Sequence, residues 1–179
     1  MSVVQIRLAA PLLIQNMDIL ETLTKLEIEF ELFKHEAFRT CEDSRSFYEG
    51  REGGDSKNLF IRDRKGKQHY LIVLQADKRL DLKALSLMMG DRFSFASEER
   101  LWKWLKVKPG AVSPLNLIFD EENHVKVFID KDLLKFDRLY YHPGTNTQTV
   151  ALSKDDLIKY LDASGNEWSE FNVPVSQKG

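Results

Sequence analysis

The chain has 179 residues, 42% of them hydrophobic and 30% charged, which is one domain's worth of sequence with apolar material enough to fold without staples. A formal net charge of −2 argues against a surface that is basic all round, and the single Cys41 excludes an intramolecular disulfide and a cysteine-paired zinc knuckle. No apolar run is long enough to span a bilayer, and Met1–Leu20 lacks the charged start and long apolar core of a signal peptide, so a cytoplasmic protein with no membrane contact is expected.

Asp18-Ile-Leu-Glu21 reads as a capped helix start, with Ile19, Leu20, Leu23 and Leu26 on one face. Past Leu26 the apolar period shortens: Ile28, Phe30 and Leu32 alternate with Glu27, Glu29 and Glu31, the pattern of a half-buried strand. Thr40-Cys-Glu-Asp43 opens a second helix that Gly50 closes. Arg51–Ser56 is a glycine-rich turn. Lys57–Asp63 and Gln68–Gln75 are strands joined by a hairpin loop at Arg64–Lys67. A short amphipathic helix covers Leu80–Met89, ahead of Gly90. Ser97 caps another, with Glu98 and Glu99 where acids suit the helix dipole, ending near Leu105. Lys108–Pro114 holds Pro109, Gly110 and Pro114 and predicts an ordered loop. Val125–Ile129, Leu139–Tyr141 and Thr147–Leu152 read as strands, and Ser153-Lys-Asp-Asp156 starts a last helix ending near Gly165. Trp168 and Phe171 predict that the polar tail packs against the body. Hairpins mixed with helices, without strict strand–helix alternation, predict an α/β fold of the α+β type: a single domain with a mixed, mostly antiparallel sheet flanked by helices.

The neutral total hides a basic middle. Between Lys57 and Lys83 bases outnumber acids eight to three, and Arg100, Lys103, Lys106 and Lys108 follow with no acid among them. Such a stretch suits a surface that tracks phosphates. The usual chemical motifs are missing: there is no phosphate-binding Gly-x-x-x-x-Gly-Lys loop, no dinucleotide Gly-x-Gly-x-x-Gly and no Gly-x-Ser-x-Gly elbow. His35, His69, His124 and His142 have neither helical pairing nor a cysteine partner, so no metal and no cofactor is expected. Glu42 and Asp43 disfavour a thiolate at Cys41.

Two places ask for chemistry. Lys57-Asn58 opens a strand beside glycine-rich chain, where a lysine can hold a phosphate or polarise a carbonyl. Gly110-Ala-Val-Ser-Pro114 is a run of small residues whose amides can approach a ligand closely, as an oxyanion hole requires.

Five blocks in order, Lys57-Asn-Leu-Phe-Ile-Arg-Asp63, Asp81-Leu-Lys83, Phe93–Leu101, Val107–Pro114, and His142-Pro143 with Asn146 and Thr149, resemble the free-standing prolyl-tRNA editing domains of the YbaK and synthetase-associated deacylase superfamily. The resemblance covers about Leu23 to Leu161 and is strongest to the branch that hydrolyses alanine misattached to proline tRNA. It implies an N-terminal extension over 1–17, an editing domain over 18–165 and a tail over 166–179. It implies a metal-free trans-editing deacylase whose substrate is Ala-tRNA(Pro), with Cys-, Ser- or Thr-tRNA deacylation, or a non-catalytic tRNA or synthetase adaptor, as alternatives. The implied catalytic groups are Lys57 and the amides of Gly110, Ala111 and Val112. Asn58, Ser113, Pro114, His142, Phe47 and Leu59 would bind the aminoacyl end, and Arg62, Lys65, Lys67, Arg100, Lys103 and Lys106 the RNA. The partners expected are tRNA and prolyl-tRNA synthetase, and the protein is expected to be a monomer. The chain departs from the family pattern at His35-Glu-Ala37, on the expected pocket rim, and at Asp55-Ser56, which puts an acid beside Lys57.

Overall fold

The computed structural model describes residues 18–39 and 41–176; the expected N-terminal extension and the helix start at Thr40 lie outside the described residues. Helix α1 (Ile19–Lys25) begins where expected, the Asp18 carboxylate accepting the Glu21 N–H at 2.8 Å. Strand β1 (Phe30–Lys34), helix α2 (Cys41–Tyr48) and the hairpin β2 (Ser56–Arg62) and β3 (His69–Gln75) follow. Then come α3 (Leu82–Met89), capped by Asp81 and closed by left-handed Gly90, a two-residue β4 (Ser94–Phe95), and α4 (Glu98–Leu105), capped by Ser97. Strands β5 (Val125–Asp130), β6 (Arg138–Tyr141) and β7 (Gln148–Ser153) lead to α5 (Lys154–Ser164), capped by Ser153 and closed by Gly165, and to β8 (Trp168–Phe171).

The mixed, mostly antiparallel arrangement flanked by helices is borne out, but the strands divide into two sheets. One is three-stranded and antiparallel, in the order β1-β7-β6; the other is five-stranded, in the order β4-β2-β3-β5-β8, with β3–β5 and β5–β8 parallel. A bridge between Gly54 and Leu139 stitches the two together. The larger sheet packs against apolar side chains on both faces, which is why β3 reads as a nearly continuous apolar run. Phe60, Leu71, Val73, Val127 and Ile129 face a main core shared with α1, α4 and α5. Ile61, Ile72 and Leu74 face a smaller core with Leu85 of α3 and Val173 of the tail.

Four elements escape the sequence reading, among them the one-turn 3-10 helix Leu133–Lys135. Pro114–Phe119 is a turn of tight 3-10 helix in which Ser113 and Asn116 form a reciprocal capping box. Strand β4 is too short to show a period. Strand β8 is a four-residue edge strand defined by its pairing with β5, with Ser169 and Glu170 exposed, too short for alternation to guide; Trp168 and Phe171 do pack, as their apolar bulk demanded.

Candidate active site

The site is built where the start of β2 meets the loop that follows α4. Asn58 Nδ2 donates to the Val112 carbonyl at 2.9 Å, tying the two sequence blocks together across 54 residues of chain. The loop is fixed further by Ser113, which is fully buried. Its Oγ donates to the His142 carbonyl at 2.7 Å, and its N–H donates to Asn116 Oδ1 at 2.9 Å. Pro114 is buried as the first residue of the 3-10 turn, where its missing N–H costs nothing. Ser113 and Pro114 therefore hold the loop's shape. Gly110 sits at φ +90, in the region that favours glycine. The Ala111 N–H is engaged by the Lys108 carbonyl at 3.3 Å, whereas no hydrogen bond within the described residues engages the N–H of Gly110 or Val112. The three amides read from the sequence thus reduce to two that are free to meet a ligand.

Strand alternation separates Lys57 from Asn58. Asn58 lies on the Phe60 face, toward the loop. Lys57 lies on the other face with Leu59 and Ile61, opposite Leu74 in register. Leu59 packs into the smaller core and so does not share a cavity with Phe47. Lys57 is partly exposed and, among the described residues, has no carboxylate within ion-pair distance. Two carboxamides here are half used: Asn58 Oδ1 and Asn116 Nδ2 are buried without a hydrogen-bond partner in the described structure. Buried polar atoms left in this state ask for a water or a ligand.

Beyond the loop, β1, α2 and β7 assemble an aromatic pocket that sequence pattern could not show. His35 stacks on Phe38 with ring centroids 4.4 Å apart and lies 4.9 Å from Phe47 and 6.1 Å from His142. Carbonyl oxygens only accept, so His35 Nδ1 donates to Glu36 O at 2.8 Å and His142 Nδ1 donates to Gln148 O at 2.6 Å. In the neutral ring His35 Nε2 then accepts from buried Thr149 Oγ1 at 2.9 Å, and Tyr48 reaches the same hydroxyl. Burial, followed by the nearby Asp55, pushes Tyr48 up to about 12, so its hydroxyl stays a donor. Burial lowers the His142 pKa, and the Gln148 carbonyl fixes its tautomer with Nε2 as an acceptor. A cleft of about 480 Å³ beside this pocket is lined by Glu36 and Ala37 along with His35, Phe38 and Phe47, which puts the first departure on its rim.

The basic residues gather at the far end of β2, about 15 Å away at roughly 3.3 Å per residue. Arg100 of α4 donates to the Gly66 carbonyl at 2.9 Å and to His69 Nε2 at 3.1 Å, locking the 63–68 hairpin to the helix. Exposed Lys65 and Lys67 flank Gly66 on the hairpin and Lys103 of α4 lies beside it, while Lys106, which closes α4, is exposed and Trp102 stands 53% exposed on the same helix. Arg62 bends back to the carbonyls of Asp63 and Arg64. Trp102 is an exposed aromatic side chain of α4 that the sequence reading did not single out. Among the described residues no group of three or more His, Cys, Asp or Glu side chains is placed to hold a metal, and no helix is long and apolar enough to cross a membrane.

Residues 35–160 match the family model described as the aminoacyl-tRNA editing domain. The chain belongs to the aminoacyl-tRNA editing domain family. It is 41% identical over 156 residues to the prolyl-tRNA editing protein ProX of Acetoanaerobium sticklandii, covering 87% of this chain and 95% of that one. The mouse prolyl-tRNA synthetase associated domain-containing protein 1 is 31% identical over 152 residues, covering 82% of this chain and 89% of its own. A solved structure described as a candidate trans-editing enzyme for prolyl-tRNA synthetase shares the fold, with a TM-score of 0.65 at 19% identity over 89% of this chain and 95% of that one. The editing-domain match spans the aromatic pocket, β2, the loop at 110–114 and most of α5, so the geometry above lies inside the family's domain.

Proposed function

We propose that this editing-domain protein is a trans-acting hydrolase of mischarged tRNA(Pro), with Ala-tRNA(Pro) as its principal substrate. Water adds to the ester carbonyl, the bond to the terminal ribose oxygen breaks, and free alanine and tRNA leave. The ester is already activated, so the protein need not supply a nucleophile; it must orient the ester and stabilise the oxyanion. The free N–H groups of Gly110 and Val112 are suited to the carbonyl oxygen. Lys57 supplies a cation for the terminal phosphate or ribose at the open end of β2. Asn58 sets the loop, and His142 with Phe47 borders the side-chain pocket. Lys65, Lys67, Arg100, Lys103 and Lys106 steer the acceptor stem. Prolyl-tRNA synthetase is a proposed partner and a cytoplasmic monomer the proposed state.

The observation that carries this reading is the Asn58–Val112 hydrogen bond, which joins the lysine block to the amide loop. Likeness to ProX supports proline tRNA as the substrate. Alanine follows from size: a synthetase pocket made for proline gains only about 1–3 kcal/mol against a side chain lacking a methylene, so a second, smaller site must remove the error. A panel of proline tRNAs charged with alanine, cysteine, serine, threonine and proline tests it. Alanine should be released fastest and proline spared. Faster release of cysteine, serine or threonine would move the specificity, and binding without any hydrolysis would make the protein an adaptor.

A further inference from the structure

Asp55 stands where the two sheets meet, and its backbone is held from both. Immediately before it, the Gly54 N–H donates to the Arg138 carbonyl at 2.8 Å; Asp55's own carbonyl accepts the Ala76 N–H at 3.1 Å. Neither preceding glycine has room for a side chain. A Cβ on Gly53, itself at φ +129, would lie 2.6 Å from the Arg138 carbonyl oxygen, and one on Gly54 would lie 2.6 Å from the Phe136 ring. The chain is therefore pressed against β6 and delivers Asp55 at a set position, at the entrance to β2.

The carboxylate is half-buried there, and its charged and titratable neighbours are Lys57, Asp77 and, from α2, Tyr48. Burial raises its pKa first; a hydrogen bond from its own backbone N–H lowers it, Asp77 raises it and Lys57 draws it down, with the net direction upward. Among the described residues no Lys, Arg or His nitrogen comes within ion-pair distance of it. Lys57 is thus adjacent without being locked onto it. A half-buried carboxylate in this condition is costly until a cation arrives. Tyr48, which also touches Thr149 in the aromatic pocket, places that vacancy for a cation beside the aminoacyl site.

We infer that Asp55 receives the α-ammonium of the aminoacyl ester, with Lys57 taking the neighbouring phosphodiester; this rests on the deacylase reading of the same site. The 3′ end of an aminoacyl-tRNA carries both charges, a cation next to the ester carbonyl and an anion one ribose away. Asp55 and Lys57, two residues apart at the mouth of one strand, present the opposite pair in the same order.

The test compares Ala-tRNA(Pro) with lactyl-tRNA(Pro), which replaces the ammonium by an uncharged hydroxyl, each rate divided by its uncatalysed hydrolysis. The native chain should favour the alanyl ester by about tenfold or more in kcat/KM, the span of a hydrogen bond to a charged group. Asp55→Asn should remove that preference by lowering the alanyl rate and leaving the lactyl rate unchanged, and Asp55→Glu should restore part of it. Equal losses on both esters, a preference that survives Asp55→Asn, or no preference in the native chain would overturn the inference. If Asp55→Asn does not fold, Asp55→Ser carries the same comparison. A native chain that hydrolyses neither ester, nor any member of the mischarged panel, would instead overturn the deacylase reading, and this inference with it.

Discussion

The two ends of β2 carry similar-looking polar sequence and are built on opposite terms. At the hairpin end the histidines are paired. His69 is 1% exposed, donates Nδ1–H to His124 Nε2 at 2.8 Å and accepts from Arg100, while Trp104 stacks on His124 at 3.7 Å. At the other end Asn58 Oδ1 and Asn116 Nδ2 are buried without partners, the amides of Gly110 and Val112 make no hydrogen bond with the described residues, and neither Lys57 nor Asp55 has an ion pair there. A satisfied polar cluster holds a fold together; an unsatisfied one awaits a ligand. The contrast separates two histidine pairs that composition treats alike. His69 and His124 rivet a hairpin to a helix, and His35 and His142 frame a pocket.

Breaking each end in turn should give different readouts. Lys57→Ala should lower kcat/KM for Ala-tRNA(Pro) by about 100-fold or more, the loss expected for a charge-assisted contact, with the thermal midpoint unchanged. Near-normal turnover would remove Lys57 from the site. The hairpin end should answer in stability instead. Burial, then His124 and Arg100, lower the His69 pKa from 6.5 to about 4. The folded state therefore holds His69 neutral while the unfolded chain takes up a proton, so stability is full above about pH 6.5 and falls as the pH drops toward 4, by about 3 kcal/mol in all. Denaturant titrations across that range should show the slope in the native chain and a flatter one in His69→Phe. An unchanged slope would mean that His69 is not the group. The smallest effect belongs to the basic surface. The double variant Lys103→Ala, Lys106→Ala should lose only a few-fold in activity at low salt, and its log–log salt dependence should flatten by about 0.7–0.9 for each phosphate it no longer neutralises. An unaltered salt slope would place the RNA elsewhere.

Much of the fold was legible because its punctuation is local. Asp18, Asp81, Ser97 and Ser153 cap the helices at the positions where they stand in the sequence, and Gly90 and Gly165 end them. The site was legible in parts. The Lys57-Asn58 block and the Gly110–Pro114 loop could be singled out by residue type, but not which of the two side chains reaches the loop, since that depends on the face of β2 turned toward the main core. Of the aromatic pocket, only Phe47, His142 and the rim at His35–Ala37 were legible, and those through the family resemblance; its assembly was not. His35, Phe38, Phe47, Tyr48, His142 and Thr149 come from elements more than 90 residues apart, and no spacing rule predicts that β1 pairs with β7. The same non-local pairing hid β8, whose strand character exists only against β5.

That last strand has a practical consequence. It lies along β5 as an outer rail, and the residues after it clasp back through the Leu80–Val175 bridge and the Ser176 N–H to Arg79 carbonyl bond at 2.9 Å. A protein trimmed back to Gly165 would keep every group proposed for the chemistry. It would also bare a straight row of peptide donors and acceptors on a Val- and Ile-rich strand, an adhesive edge that invites a second molecule to zip alongside.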